Sequence, residues 1–82
     1  MIEPEAKQAA RKTDSDALAD WLTVIAQRLA SALNAIKENN YFMVGYEYAY
    51  LQDKALDATQ PPEIQAEARR AADIVLSRYE AR

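Results

Sequence analysis

The sequence predicts an all-α protein, a small antiparallel three-helix bundle carrying an additional N-terminal helical arm, and three observations predict it. One Gly and three Pro stand beside abundant Ala, Leu, Gln, Glu, Lys and Arg, the composition of helices joined by short turns. Apolar residues recur at steps of three and four through most of the chain, the period of an α-helix buried on one side. Two clusters of turn-forming residues, Asn39–Asn40 and Thr59–Pro62, divide the periodic segments. Eighty-two residues hold a single domain.

The arm is residues 1–14, polar and alanine-rich. Pro4 suits a first helical turn, and Ala6, Ala9 and Ala10 give it only a thin apolar stripe. Thr13, Asp14, Ser15 and Asp16 are N-cap residue types placed just before a periodic run, so the first full helix is expected over 15–38. Along it Leu18, Leu22, Ile25, Leu29, Ala32 and Ile36 line one face, flanked by Trp21 and Leu33. That seam is short for a free coiled coil and suits a bundle. Lys37 followed by Asn39 and Asn40 fits a basic last turn, a left-handed cap and a new N-cap.

A second helix is expected over 41–58. From Tyr41 to Leu51 its only charged residue is Glu47. On a helical wheel Tyr41, Val44, Tyr48, Leu51 and Ala55 form one stripe, and Phe42, Gly45, Ala49 and Leu56 form a second beside it. Both are read as inward, with Tyr41 and Tyr48 keeping their hydroxyls at the rim. Thr59, Gln60, Pro61 and Pro62 stop this helix, because a proline disfavours a helical residue before it. Pro62 then opens a third helix over 62–81, with Glu63 at its positive end and Ile64, Ala68, Ala71, Ala72, Val75, Leu76 and Tyr79 facing inward. Ile74 lies off that stripe.

The residue inventory narrows the chemistry. With no Cys and no His, neither a thiolate nor an imidazole is present to hold zinc or iron, and the usual bases for a Ser or Thr nucleophile are missing. No cofactor and no metal are expected. Glu47, Asp53 and Asp57 share the second helix, and the Asp53–Asp57 pair beside Lys54 reads as a solvated polar face. Arg69, Arg70, Arg78 and Arg82 are matched by Glu63, Glu67, Asp73 and Glu80, and the net charge is −3, so a phosphate-binding face is disfavoured. No apolar run reaches the roughly 20 residues of a bilayer span, and the first residues carry no export signal. A cytoplasmic, non-membrane location is expected.

Tyrosine is the feature left over. Four of the five tyrosines fall between Tyr41 and Tyr50, and Tyr offers large contact area with a polar tip. Met43, Tyr46 and Tyr50 point away from both inward stripes and are expected to meet a partner. Trp21 and Val24, with Ala17 and Ala35, extend that expectation to the first helix, and the off-stripe Ile74 extends it to the third. The second helix thus has more apolar circumference than two neighbours cover, which predicts a homodimer formed through it.

The expected function is a non-enzymatic protein-interaction module acting as an adaptor, inhibitor or regulatory subunit. A nucleic-acid-associated helical regulator is the second reading, and a carboxylate-dependent enzyme the third. Thermal unfolding should be unchanged by exhaustive chelation. A fall of many degrees would make Asp53 and Asp57 cation ligands and overturn the solvated-face reading.

Overall fold

A computed structural model describes the backbone of residues 2–82 and the side chains of residues 16–82. The chain is an all-α bundle of three helices, α1 (Ile2–Lys37), α2 (Tyr41–Leu56) and α3 (Pro62–Ala81). α1 begins at Ile2 and passes through Ser15 without a break, so the expected joint between an arm and a first helix is not there. Ser and Asp favour caps only where a better alternative to helix exists. Here they are preceded by Ala6, Lys7, Gln8, Ala9, Ala10, Arg11 and Lys12, all strong helix formers. The side chains of the arm, Pro4 and the Thr13–Ser15 cap types among them, lie outside the described residues.

The two reversals are built as the turn residues imply. Asn39 adopts φ 60°, the left-handed conformation that Asn tolerates better than most side chains. The Asn40 amide donates to the Ala35 carbonyl at 2.8 Å and the Asn39 amide to the Ile36 carbonyl at 3.1 Å, a Schellman closure that satisfies the last carbonyls of α1. Asn40 then caps α2, its side-chain oxygen accepting from the Met43 amide at 3.3 Å.

The second reversal starts two residues earlier than expected. Asp57 leaves the helix in an extended conformation, and its Oδ1 accepts from the Thr59 amide at 2.9 Å and from the Thr59 hydroxyl, an Asx turn that competes with continued helix. Those two hydrogen bonds from Thr59, the hydroxyl's first, hold the Asp57 carboxyl below its ordinary value. The turn's contribution is therefore present above the unfolded pKa and is lost as pH falls through the lowered folded one. The Gln65 side chain donates from Nε2 to the Asp57 carbonyl at 2.6 Å, tying the first turn of α3 to the end of α2.

Among the described residues ten apolar ones form the buried core: Ile25, Ala32 and Ala35 of α1, Val44 and Leu51 of α2, and Ile64, Ala68, Ala71, Ala72 and Val75 of α3. Leu18, Leu22, Leu29, Ile36, Tyr48, Ala55 and Tyr79 pack around it. The stripes expected on α1 and α3 are thus the packed faces, with two changes. Ala35, read as an outward residue, is buried, because it lies on the side of α1 that α2 covers. Leu76, read as inward, is exposed at the edge of the α2–α3 seam.

α2 departs further from expectation. Its first stripe is packed, save that Tyr41 is exposed at the end of the bundle, where its ring meets Tyr79 edge-on at 5.8 Å. Its second stripe, Phe42, Gly45, Ala49 and Leu56, faces outward instead of inward. The buried arc extends to the opposite side, through Met43, Glu47 and Tyr50, so the helix is turned by roughly 100°, about one residue's rotation, from the orientation its hydrophobicity suggests.

This orientation separates two leucines on one helix. Leu51 is fully buried, and Leu51→Ala should cost about 2–5 kcal/mol. Leu56→Ala, on the outer face, should change stability by no more than about 0.5 kcal/mol. Denaturant titration at low protein concentration distinguishes them, and equal losses would place α2 in the wrong rotation.

Candidate interaction surface

The geometry of the surface is set from beneath by a charge. Glu47 is 2% exposed and sits between α2 and α1, where its Oε1 accepts from Arg28 Nη1 at 3.1 Å. Arg28 is the only charged residue between Asp20 and Lys37, as Glu47 is between Tyr41 and Leu51. The Arg28 guanidinium lies 4.5 Å from the centroid of the Tyr50 ring, a cation–π contact that steadies it while its outer edge stays in water. The Glu47 carboxylate raises the Arg28 guanidinium further above its ordinary value, against partial burial, which lowers it. Glu47 Oε2 is buried with no hydrogen-bond partner among the described residues. The carboxylate is therefore already stripped of hydration and held by one charge-assisted bond, so removing that bond leaves a buried charge uncompensated.

Next along the same seam Lys54 extends over Trp21, its ammonium 4.7 Å from the indole and 5.6 Å from the Tyr50 ring. Long amphipathic side chains cover apolar surface with their stems and leave their heads wet. Tyr50 and Lys54 do this for α2, while Met43 of α2 and Trp21 of α1 pack against the core.

Of the residues expected to meet a partner, Met43, Tyr50 and Trp21 are thus half-buried along the α1–α2 seam and are not on the outer face of α2. Tyr46 is, at 54% exposure. Val24 is half-buried and borders a small surface depression with Ala17, Asp20 and Trp21. Ile74 is half-buried on the far side of α3 among Arg70, Asp73, Ser77 and Arg78. The six residues form no single patch.

The outer face of α2 was missed by hydrophobic periodicity because its residues were assigned inward. Phe42 is 81% and Leu56 76% exposed, with Gly45, Tyr46 and Ala49 between them on the same side. A Cβ added at Gly45 would meet nothing within 4 Å. Beside Gly45 runs an apolar groove of about 200 Å³ between α2 and α3, lined by Tyr41, Val44, Gly45, Tyr48, Val75, Leu76 and Tyr79. Large side chains standing out along a helix with small ones between them are a rare arrangement on a monomer's surface.

Asp57 is engaged in its turn, and no cluster of three or more acidic residues able to hold a metal occurs among the described residues. On α3 the described ion pair is Arg70–Glu67 at 3.0 Å, while the Arg82 guanidinium stacks on Tyr79 and Tyr41 at 3.9 and 4.9 Å from their centroids. No helix, among the described residues, is long and apolar enough to cross a membrane. Compared with known proteins, the chain matches no family model, no curated protein sequence and no solved structure.

Arg28→Met should lower the melting temperature more than Glu47→Gln, because it strands a buried carboxylate, whereas glutamine keeps an acceptor for Arg28 and carries no charge. The double variant Arg28→Met with Glu47→Leu should recover most of the loss, since a well-packed apolar pair often equals a buried ion pair. Additive losses in this cycle would mean that the two residues are not coupled.

Proposed function

We propose that this chain is a protein-interaction module, acting sterically as an adaptor, inhibitor or regulatory subunit, and that it self-associates through the outer face of α2. The observation that carries the reading is the rotation of α2. A helix oriented only to bury apolar area would turn Phe42 and Leu56 inward and leave Glu47 in water. This one does the reverse, placing a carboxylate between helices and two large apolar side chains outside. Local choices that oppose the folding of the isolated chain concentrate where a sequence serves a function.

The residue types suit association. Phe and Tyr are enriched in the cores of protein interfaces, and charged side chains are depleted there. The face from Phe42 to Leu56 carries one charge, Asp53, toward one edge. Gly45 and Ala49 let a second helix approach closely, while the flanking Phe42, Tyr46 and Leu56 supply contact area.

Light scattering at tens of micromolar should give the wild-type chain a mass near twice 9.2 kDa. Phe42→Glu combined with Leu56→Glu should give the single-chain mass with far-UV helicity retained, because neither side chain belongs to the core. A wild-type mass near 9.2 kDa, or a double variant that still associates, would overturn self-association through this face.

A further inference from the structure

Given that reading, we infer that two copies pair α2 against α2 antiparallel, about a two-fold axis passing at Ala49, with Leu56 of the partner subunit entering the groove beside Gly45. Ala49 lies midway between Phe42 and Leu56, seven residues from each. Reading outward from Ala49, the exposed face presents Tyr46 and Gly45 three and four residues before it, Gln52 and Asp53 three and four residues after it, and a large apolar residue seven away on each side. A face with that order is close to its own complement when one copy is reversed. A two-fold interface requires such self-complementarity.

Reversal brings unlike groups together at each level. Phe42 meets Leu56 of the partner subunit, Tyr46 meets Asp53 of the partner subunit, and Ala49 meets its own counterpart on the axis. A tyrosine hydroxyl donates to an Asp carboxylate, so Tyr46 and Asp53 satisfy each other at both ends. With Ala on the axis and Gly45 one turn away, the helix axes can approach to about 8 Å, the near limit for packed helices.

The groove has room for what reversal delivers to it. It opens alongside Tyr41 and Gly45, the end of α2 that the partner's Leu56 reaches, and its walls include Leu76 and Tyr79 of α3. At about 200 Å³ it exceeds the roughly 150 Å³ of a cavity that accepts benzene, so a leucine side chain fits. The missing Cβ of Gly45 keeps the entrance open.

A parallel, in-register pair fares worse on charge and area. It sets Asp53 at the same level as Asp53 of the partner subunit, a like-charge proximity that disfavours the pair, and aligns the two helix dipoles. It also stacks Phe42 on Phe42 and leaves the groove empty. In the antiparallel pair the two Asp53 positions are about 12 Å apart along the axis, eight residues at 1.5 Å each. The exposed parts of Phe42, Tyr46, Leu56, Tyr41 and Leu76 together present on the order of 500 Å² per copy, so a pair can remove at most about 1,000 Å², which reaches the threshold for a specific interface.

The chain has no native cysteine, so single-cysteine variants report the geometry without background. All three sites are exposed, which keeps the core intact. Under mild oxidation Ala49→Cys should cross-link with itself. Phe42→Cys alone and Leu56→Cys alone should not, while an equimolar mixture of Phe42→Cys with an affinity-tagged Leu56→Cys should give the mixed dimer. Nitroxide labels provide a second readout. Labels at position 42 should be separated by about 20 Å more along the axis than labels at 49, fourteen residues of helical rise, whereas a parallel pair gives similar distances at both. Self-cross-linking of Phe42→Cys with equal label distances overturns the antiparallel arrangement but leaves self-association standing. A single-chain mass for the unmodified protein overturns both.

Discussion

The arrangement of this bundle turns on a carboxylate held between two helices. Glu47 is the lone charge in the most apolar stretch of the sequence and Arg28 the lone charge in the apolar part of α1, and the two meet at 3.1 Å. Once Glu47 is fixed against α1, the rest of α2 has no rotational freedom left. Val44 and Leu51 enter the core, Met43, Tyr50 and Lys54 lie along the seam with Trp21, and Phe42, Gly45, Tyr46, Ala49 and Leu56 face out. A buried ion pair adds little net stability over an apolar pair of the same volume. What it contributes here is selection among rotations that hydrophobic burial alone leaves open or even orders the other way.

The contrast between the turns and the second helix explains how far the sequence could be read. Turn residues act through local backbone chemistry, and each is nearly self-sufficient. Asn39 takes the left-handed conformation, Asn40 caps the next helix and Pro62 opens a first turn, all within a few residues of where the effect is felt. These positions, and with them the three-helix architecture, are legible without knowledge of the tertiary structure. The rotation of α2 depends on Arg28, nineteen residues away, and a helical wheel ranks positions only by apolarity. Applied to Tyr41–Leu56 it places Phe42 and Leu56 inward and Met43 and Tyr50 outward, the reverse of what is found. The signal that separates the two orientations was the isolation of the charges: one cation and one anion, each alone on an otherwise apolar helix. The extra length of α1 was hidden for a different reason, since cap-forming residues mark a helix end only when their neighbours disfavour helix.

The aromatic and cationic side chains form a layer between core and surface. Arg28 over Tyr50, Lys54 over Trp21, and Arg82 over Tyr79 and Tyr41 each place a cation on a ring face. This covers ring area that the thin core cannot enclose while keeping the charge hydrated. The layer runs along the α1–α2 seam and the end of the bundle, and the outer face of α2 is free of it. The large apolar side chains on that face are consequently covered by nothing among the described residues.

Alanine supplies half of the core: Ala32 and Ala35 on α1, and Ala68, Ala71 and Ala72 on α3, against Ile25, Val44, Leu51, Ile64 and Val75. A seam lined with methyl groups brings helix backbones close and leaves no slack between them. A leucine-rich bundle is most sensitive to truncation, which opens a cavity that neighbours partly refill. In this bundle the sensitive direction is enlargement, because a single added methylene at Ala32 or Ala68 has no rotamer to relax into and must push two helices apart along their length. Tolerance to substitution is thereby inverted relative to side-chain size. The core alanines are the least replaceable residues, and two highly exposed apolar ones, Phe42 and Leu56, are free to change as far as the fold alone is concerned.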